Sequence, residues 1–251
     1  MIQIKNPEEL KGMIKAGELA AQALALAGKN AKAGVSTWEL DRIVDEFIRS
    51  KGGSCPCYGF EGFPGHNCFS INEQLIHGIP SKKAVLKDGD IISCDIVAEL
   101  NGFMGDNTKT FMVGEVSDEA KRLMKYTEEA LYKGIEQAVA GNRVGDISHA
   151  IETHVKSGGY AVAEKFIGHG VGREMHEDPE VPNEGKAGHG PRLVPGMTIA
   201  IEPMVNSHSN RVRILGDKWT VVTTDGSLSC HFEHSIAITN GEPLILTLES
   251  H

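Results

Sequence analysis

No long apolar run is present in this chain of 251 residues. Its most apolar stretch, Leu19 to Gly28, falls far short of the ~20 residues a membrane-spanning helix needs and is expected to form the buried side of a helix. Cationic charge is the minority: 25 Lys and Arg stand against 34 Asp and Glu, for a formal net charge of −9. A concentrated basic face is therefore absent, which argues against a binder of nucleic-acid backbones. The opening residues, MIQIKNPEELKGMIKAG, lack the short cationic start and apolar run of a secretory signal, so a cytoplasmic protein is expected. The 5 cysteines, at 55, 57, 68, 94 and 230, are odd in number and have no C-x-x-C spacing. Neither a disulfide framework nor a thiolate zinc site follows from them. Cys55 and Cys57 are too close for an unstrained bridge, and reduced thiols are expected. The phosphate-loop, dinucleotide and H-E-x-x-H fingerprints are missing too.

What is present is a chain with 40% hydrophobic and 24% charged residues, long enough for one large domain or two fused halves. AGVSTWELDRIVDEFIRSKGG (33 to 53) overlays AGNRVGDISHAIETHVKSGGY (140 to 160) at an offset of 140 − 33 = 107. Upstream, NPEELKGMIKAGELA (6 to 20) overlays SDEAKRLMKYTEEAL (117 to 131) at 117 − 6 = 111. Each half reads as a capped helix, an Ala-Gly break, a second amphipathic helix ending in glycines, and then strands. Asn6 and Ser117 are the expected N-caps. Strand-like runs follow at 90–100, 103–113, 160–171, 197–206, 218–224 and 230–239. Two α+β halves, approximately 1–115 and 116–251, would enclose a cleft between their sheets.

Within CDIVAELNGFMGDNTKTF, Asn101-Gly102 is a two-residue hairpin signal. The turn pairs Leu100 with Phe103 and Val97 with Asp106, which sets Asp95 diagonally from Asp106 on one face, about 7 Å away. Two carboxylates so placed in an apolar sheet repel each other unless one is protonated or a cation neutralises them. Alternatively both face solvent, as Asp near turns often does.

Other candidates lie on or beside strand-like sequence. His169 sits in GHGVG and His176 follows; Glu202 ends an apolar run before Pro203; Glu233 falls in the β-rich HFEHSIAIT. Singly, each has an ordinary explanation: a glycine turn, a solvated strand end, a core histidine. Jointly, four carboxylates and an imidazole suit Mn, Fe, Co or Zn and are numerous enough for two bridged ions.

Six stretches resemble the type I methionine aminopeptidases, which have the pita-bread fold: SINEQLIHGIP, GDIISCDIVAELNGFMGDNTKTF, FIGHGVGREMHEDP, LVPGMTIAIEPMVN, WTVVTTDGSLSC and HFEHSIAIT. They span essentially the whole chain, in the family's order. The resemblance implies a single α+β catalytic domain over 1–251, with Asp95, Asp106, His169, Glu202 and Glu233 as ligands of two divalent ions (Co, Mn, Fe or Zn) and Asp106 and Glu233 bridging. It implies attack on the first peptide bond by a metal-bridging water, with Glu202 passing the proton and His77 and His176 acting on the scissile amide and its oxyanion. A methionine pocket is implied at Cys57, Phe60, Phe63, Cys68, Met175 and Trp219, with His77 and His176 beside it. The sequence departs from the family at Phe60, Phe63, Met175 and Val97. The implied substrate is the N-terminal methionine of nascent polypeptides with a small second residue, met by a monomer in transient contact with the ribosome. Rival classes are Xaa-Pro peptidases, type II enzymes, a non-catalytic binding module and a carboxylate-lined metal store.

Overall fold

The computed structural model describes residues 1–250. Helix starts follow the caps. Asn6 Oδ1 accepts the N–H groups of Glu8 and Glu9 at 3.0 Å each, and Glu9 accepts the Asn6 N–H in return, so α1 (Pro7–Asn30) opens on a capping box. Ser36 and Glu39 do the same for α2 (Thr37–Ser50). The hydroxyl of Ser117 caps α3 (Asp118–Ile135), and the Asp146 carboxylate accepts the Arg143 N–H at the head of α4 (Val144–Ser157). The helix starts keep both sequence offsets: 118 − 7 = 111 and 144 − 37 = 107. The apolar stretch within α1 is a helix's buried side, with Leu19, Ala20, Ala23, Leu24 and Ala27 in the core. Among the described residues, no helix is long and apolar enough to cross a membrane, and all five cysteines are free.

The strands run in chain order as β1 (Cys68–Ile71), β2 (Gln74–Ile76), β3 (Ile91–Leu100), β4 (Phe103–Met112), β5 (Ala161–Val162), β6 (Gly168–Gly170) and β7 (Glu177–Val181). They continue as β8 (Thr198–Ile201), β9 (Met204–Asn206), β10 (Val212–Ile214), β11 (Val221–Thr223), β12 (Ser229–His231), β13 (Glu233–Ala237) and β14 (Leu244–Ile245). One antiparallel sheet has the order β1-β3-β4-β13-β8-β6-β7, with β14 beside β13; two three-stranded sheets, β10-β11-β2 and β12-β9-β5, complete an α+β fold. Core side chains of α1 and α2 pack with β3, and those of α3 and α4 pack with β8 and β13.

Several expected strands are shorter. Only 161–162 and 168–170 pair in the run 160–171, and 218–224 shrinks to 221–223. The run 197–206 breaks at Glu202-Pro203 because proline cannot donate to a ladder. The run 230–239 breaks at Phe232, where the chain passes from one sheet to another. Strand β7, EDPEV, gave no alternating signal, and its Pro179 is tolerated because β7 ends the sheet.

Helix α1 crosses the C-terminal segment closely. A Cβ on Gly17 would lie 2.2 Å from the Leu246 carbonyl oxygen. Gly17→Ala gains ~1 kcal/mol of helix propensity but incurs an overpacking cost of ~1–3 kcal/mol. The clash involves backbone, which cannot rotate aside, so the variant is expected to unfold at a lower urea midpoint. A raised midpoint would show that the C-terminal segment gives way freely.

Candidate active site

Five adjacent strands each deliver one candidate ligand. Asn101 and Gly102, at φ 54° and 80°, close the β3–β4 turn, and all pairs from Leu100↔Phe103 through Val97↔Asp106 to Asp95↔Thr108 are in the register the alternation requires. Asp95 and Asp106 thus share a face. Across β4, Glu233 of β13 stands opposite Thr108. Glu202 directly follows β8, and His169 is the middle residue of β6. All five side chains line one cavity of about 280 Å³, together with His77, Phe166, His176, Glu180 and His231.

Asp106, His169 and Glu233 offer ligand atoms lying within 4.8 Å of one another. His169 Nε2 is 3.3 Å from Glu202 Oε1 and 3.7 Å from Asp106 Oδ2. Its Nδ1 lies 2.8 Å from the Gly170 carbonyl, which can only accept, so Nδ1 carries the proton and the Nε2 lone pair faces the acids. Thr108 Oγ1 donates to Glu233 Oε2 at 2.8 Å, while Glu233 Oε1 is buried without a partner among the described residues. Burial pushes Asp95 up to about 6, against the pull of the Thr108 hydroxyl. Burial and then the neighbouring acids push Asp106, Glu202 and Glu233 well above the usual carboxylate range. Burial likewise lowers His77 and His169 to about 4.

No Lys or Arg lines this cavity. Setting aside the exposed Glu180, four carboxylates without a cation, one of them with an orphaned buried oxygen, fit a multivalent metal centre built from oxygen and imidazole donors. The chain's match to known proteins agrees: the description "metallopeptidase family M24" fits residues 11–240. The chain belongs to metallopeptidase family M24. Among M24 relatives, it is similar to a methionine aminopeptidase of Clostridium acetobutylicum, with 51% identity over 99% of both chains. It is 50% identical to methionine aminopeptidase 1 of Bacillus subtilis over 98% of this chain and 99% of that one. A crystal structure of a Thermotoga maritima methionine aminopeptidase superposes with a TM-score of 0.97 at 43% identity, covering 98% and 99% of the two chains. The architecture is the pita-bread form of the α+β class.

In this M24 chain the other expected site residues surround the cavity without lining it. Cys57 Sγ is 3.9 Å from Met175 Sδ, Phe63 meets Trp219 edge-on at 5.1 Å between ring centroids, and Trp219 meets His77 at 6.1 Å. Phe60 tilts over His176 at 5.8 Å, and His176 meets His169 at 4.5 Å. Cys68 of β1 stands opposite Asp95. His77 has φ 56°, a left-handed conformation that a non-glycine residue holds only when its surroundings impose it.

Two groups in contact with the candidate ligands, His231 and Thr108, are not among the residues expected from sequence. His231 is 2% exposed, neither ring nitrogen has a hydrogen-bond partner among the described residues, and burial lowers it to about 3. Its Nε2 is 3.6 Å from Glu202 Oε2, and the signal for it was its place two residues before Glu233. Thr108 orients Glu233 and was legible as the residue opposite Asp95 in the hairpin.

Proposed function

We propose that this chain is a methionyl aminopeptidase that removes the N-terminal methionine of nascent polypeptides when the second residue is small. In this reading two divalent ions are held by Asp95, Asp106, His169, Glu202 and Glu233. The observation that carries it is the single cavity in which those four carboxylates meet, with Glu180 at its exposed edge and no cationic side chain in its lining. Two divalent charges balance four ionised acids, whereas one leaves an excess that burial would penalise. When bound, such ions supply Lewis acidity and bring the ionisation of water towards neutral pH.

The chain's own residues do the rest. Glu202, between His169 and His231, accepts a proton and returns it to the leaving amine. His77 and His176 are both held below the usual histidine range, so at neutral pH each offers one N–H to the scissile amide or to the oxygen on which charge develops. Cys57 and Met175, with Phe63 and Trp219, present sulfur and aromatic edges that suit a thioether. In this reading His77, Phe166 and His176, which line the cavity, form the wall that the second residue meets.

The test is to restore Mn, Fe or Co to metal-free protein and offer Met-Gly-x, Met-Leu-x and Ala-Pro-x peptides. Methionine is expected from the first, little from the second, and no cleavage of the third. Cleavage only before proline would make it an Xaa-Pro peptidase, and no turnover with any metal would favour a binding module.

A further inference from the structure

Strand β13 changes partner along one edge. Glu233 and His234 pair with Thr108 and Asn107 of β4, whereas Ile236 and Ala237 pair with Ile245 and Leu244 of β14. Ser235 stands at this handover and is wholly buried. Its Oγ donates to the Asp106 carbonyl oxygen at 2.8 Å and accepts the Asp106 N–H at 3.3 Å. Its own N–H donates to Thr247 Oγ1 at 3.2 Å, and its carbonyl accepts the Leu246 N–H at 2.8 Å. An antiparallel residue turns its N–H and C=O towards the same neighbour. The Ser235 hydroxyl therefore serves both backbone groups of Asp106 just where the ladder between β4 and β13 stops.

The geometry points to Ser235 as a positioning residue for metal binding: its hydroxyl ties the Asp106 backbone to β13 and so sets the spacing between the Asp106 and Glu233 carboxylates. The inference rests on the metal reading above. Glu233 lies two residues before Ser235 on the same strand, so one side chain registers the two acids against each other across the sheet. Removing the hydroxyl takes a hydrogen-bond partner from both the N–H and the carbonyl of the buried Asp106.

Metal-free wild type, Ser235→Ala, Ser235→Thr and Ser235→Val are titrated with Mn²⁺ by calorimetry, and each is melted without metal. Ser235→Ala is expected to bind Mn²⁺ about 10- to 100-fold more weakly, the usual effect of losing a group that orients a ligand. Ser235→Thr, which keeps the hydroxyl, is expected to bind like wild type. Ser235→Val, matched to threonine in volume, is expected to bind like Ser235→Ala. Wild-type affinity in Ser235→Ala, even with a lowered melting temperature, would overturn the inference and leave only a packing role. Threonine binding as weakly as valine would overturn it too. Failure of wild type itself to bind Mn²⁺ would instead overturn the metal reading on which it rests.

Discussion

Asp106→Asn is expected to lower kcat/KM by on the order of 10³-fold or more, about 4 kcal/mol of lost transition-state stabilisation, and to reduce bound metal. Asparagine keeps the shape and one carbonyl oxygen. It loses the charge and turns an NH₂ group into a space where Asp106, His169 and Glu233 otherwise present donor atoms within 4.8 Å of one another. The backbone bonds to Ser235 do not involve the side chain, so the strand should stay in register. Without metal the variant should melt no lower than wild type at neutral pH, because one of the acids that repel each other across the cavity is gone. A folded, metal-poor and inactive protein is the expected combination. Full metal content with normal turnover would show that Asp106 does not belong to the centre.

The hairpin was legible because its determinants are local. Asn-Gly fixes a two-residue turn, the turn fixes the register, and period-two alternation then puts Asp95 and Asp106 on one face without any long-range information. Two of the helices were legible for the same reason, since Asn6 and Ser117 cap within three residues of themselves. The convergence of the five side chains was not local. Glu233 reaches Thr108 across 125 residues of sequence, and His169 meets Glu202 only because β6 and β8 are neighbours in the sheet. Resemblance to a family supplied that convergence in advance; composition and periodicity did not.

The loop from 54 to 67 shows what pattern reading misses. It has no run of regular structure beyond the short turn Phe60–Gly62, and its shape depends on a buried acid of α2. Asp41 accepts the N–H groups of His66 and Asn67 at 3.1 and 2.9 Å and faces His66 Nδ1 at 2.8 Å. Tyr58 stacks on His66 at 4.7 Å. In sequence Asp41 is one more polar residue of an amphipathic helix, and only its burial reveals that it anchors the loop carrying Cys57, Phe60 and Phe63. His231 was missed for a related reason: the run 230–239 puts it on the face of Glu233, but a single histidine carries no local mark of its burial.

The affinity for metal and the stability of the metal-free protein should respond to pH in opposite directions. The four acids have folded values above their unfolded ones, so their contribution to stability is complete below about pH 4 and is lost as pH rises through the folded values. Asp95 loses its share around pH 6, and the other three lose theirs well above the usual carboxylate range. The buried histidines act the other way: His77, His169 and His231, lowered to about 4, 4 and 3, contribute fully above about pH 6.5 and lose that contribution as pH falls towards those values. The two sets oppose each other between about pH 4 and 6.5. The acids continue to lose their contribution as pH rises beyond the range of the histidines, so the melting temperature of the metal-free protein is expected to fall on the alkaline side of neutrality. Metal requires those same acids to be ionised and His169 Nε2 to be free, so each proton displaced on binding strengthens apparent affinity by up to ~10-fold per pH unit. Mn²⁺ should therefore bind more tightly at pH 8 than at pH 6, by up to ~10²-fold for a proton displaced across the whole interval, and the rise in melting temperature on adding Mn²⁺ should grow with it. Calorimetric titrations in buffers of different ionisation enthalpy would count the protons released. A pH-independent affinity with no proton release would mean that the carboxylates are already ionised without metal, and that burial in this cavity does not hold them protonated.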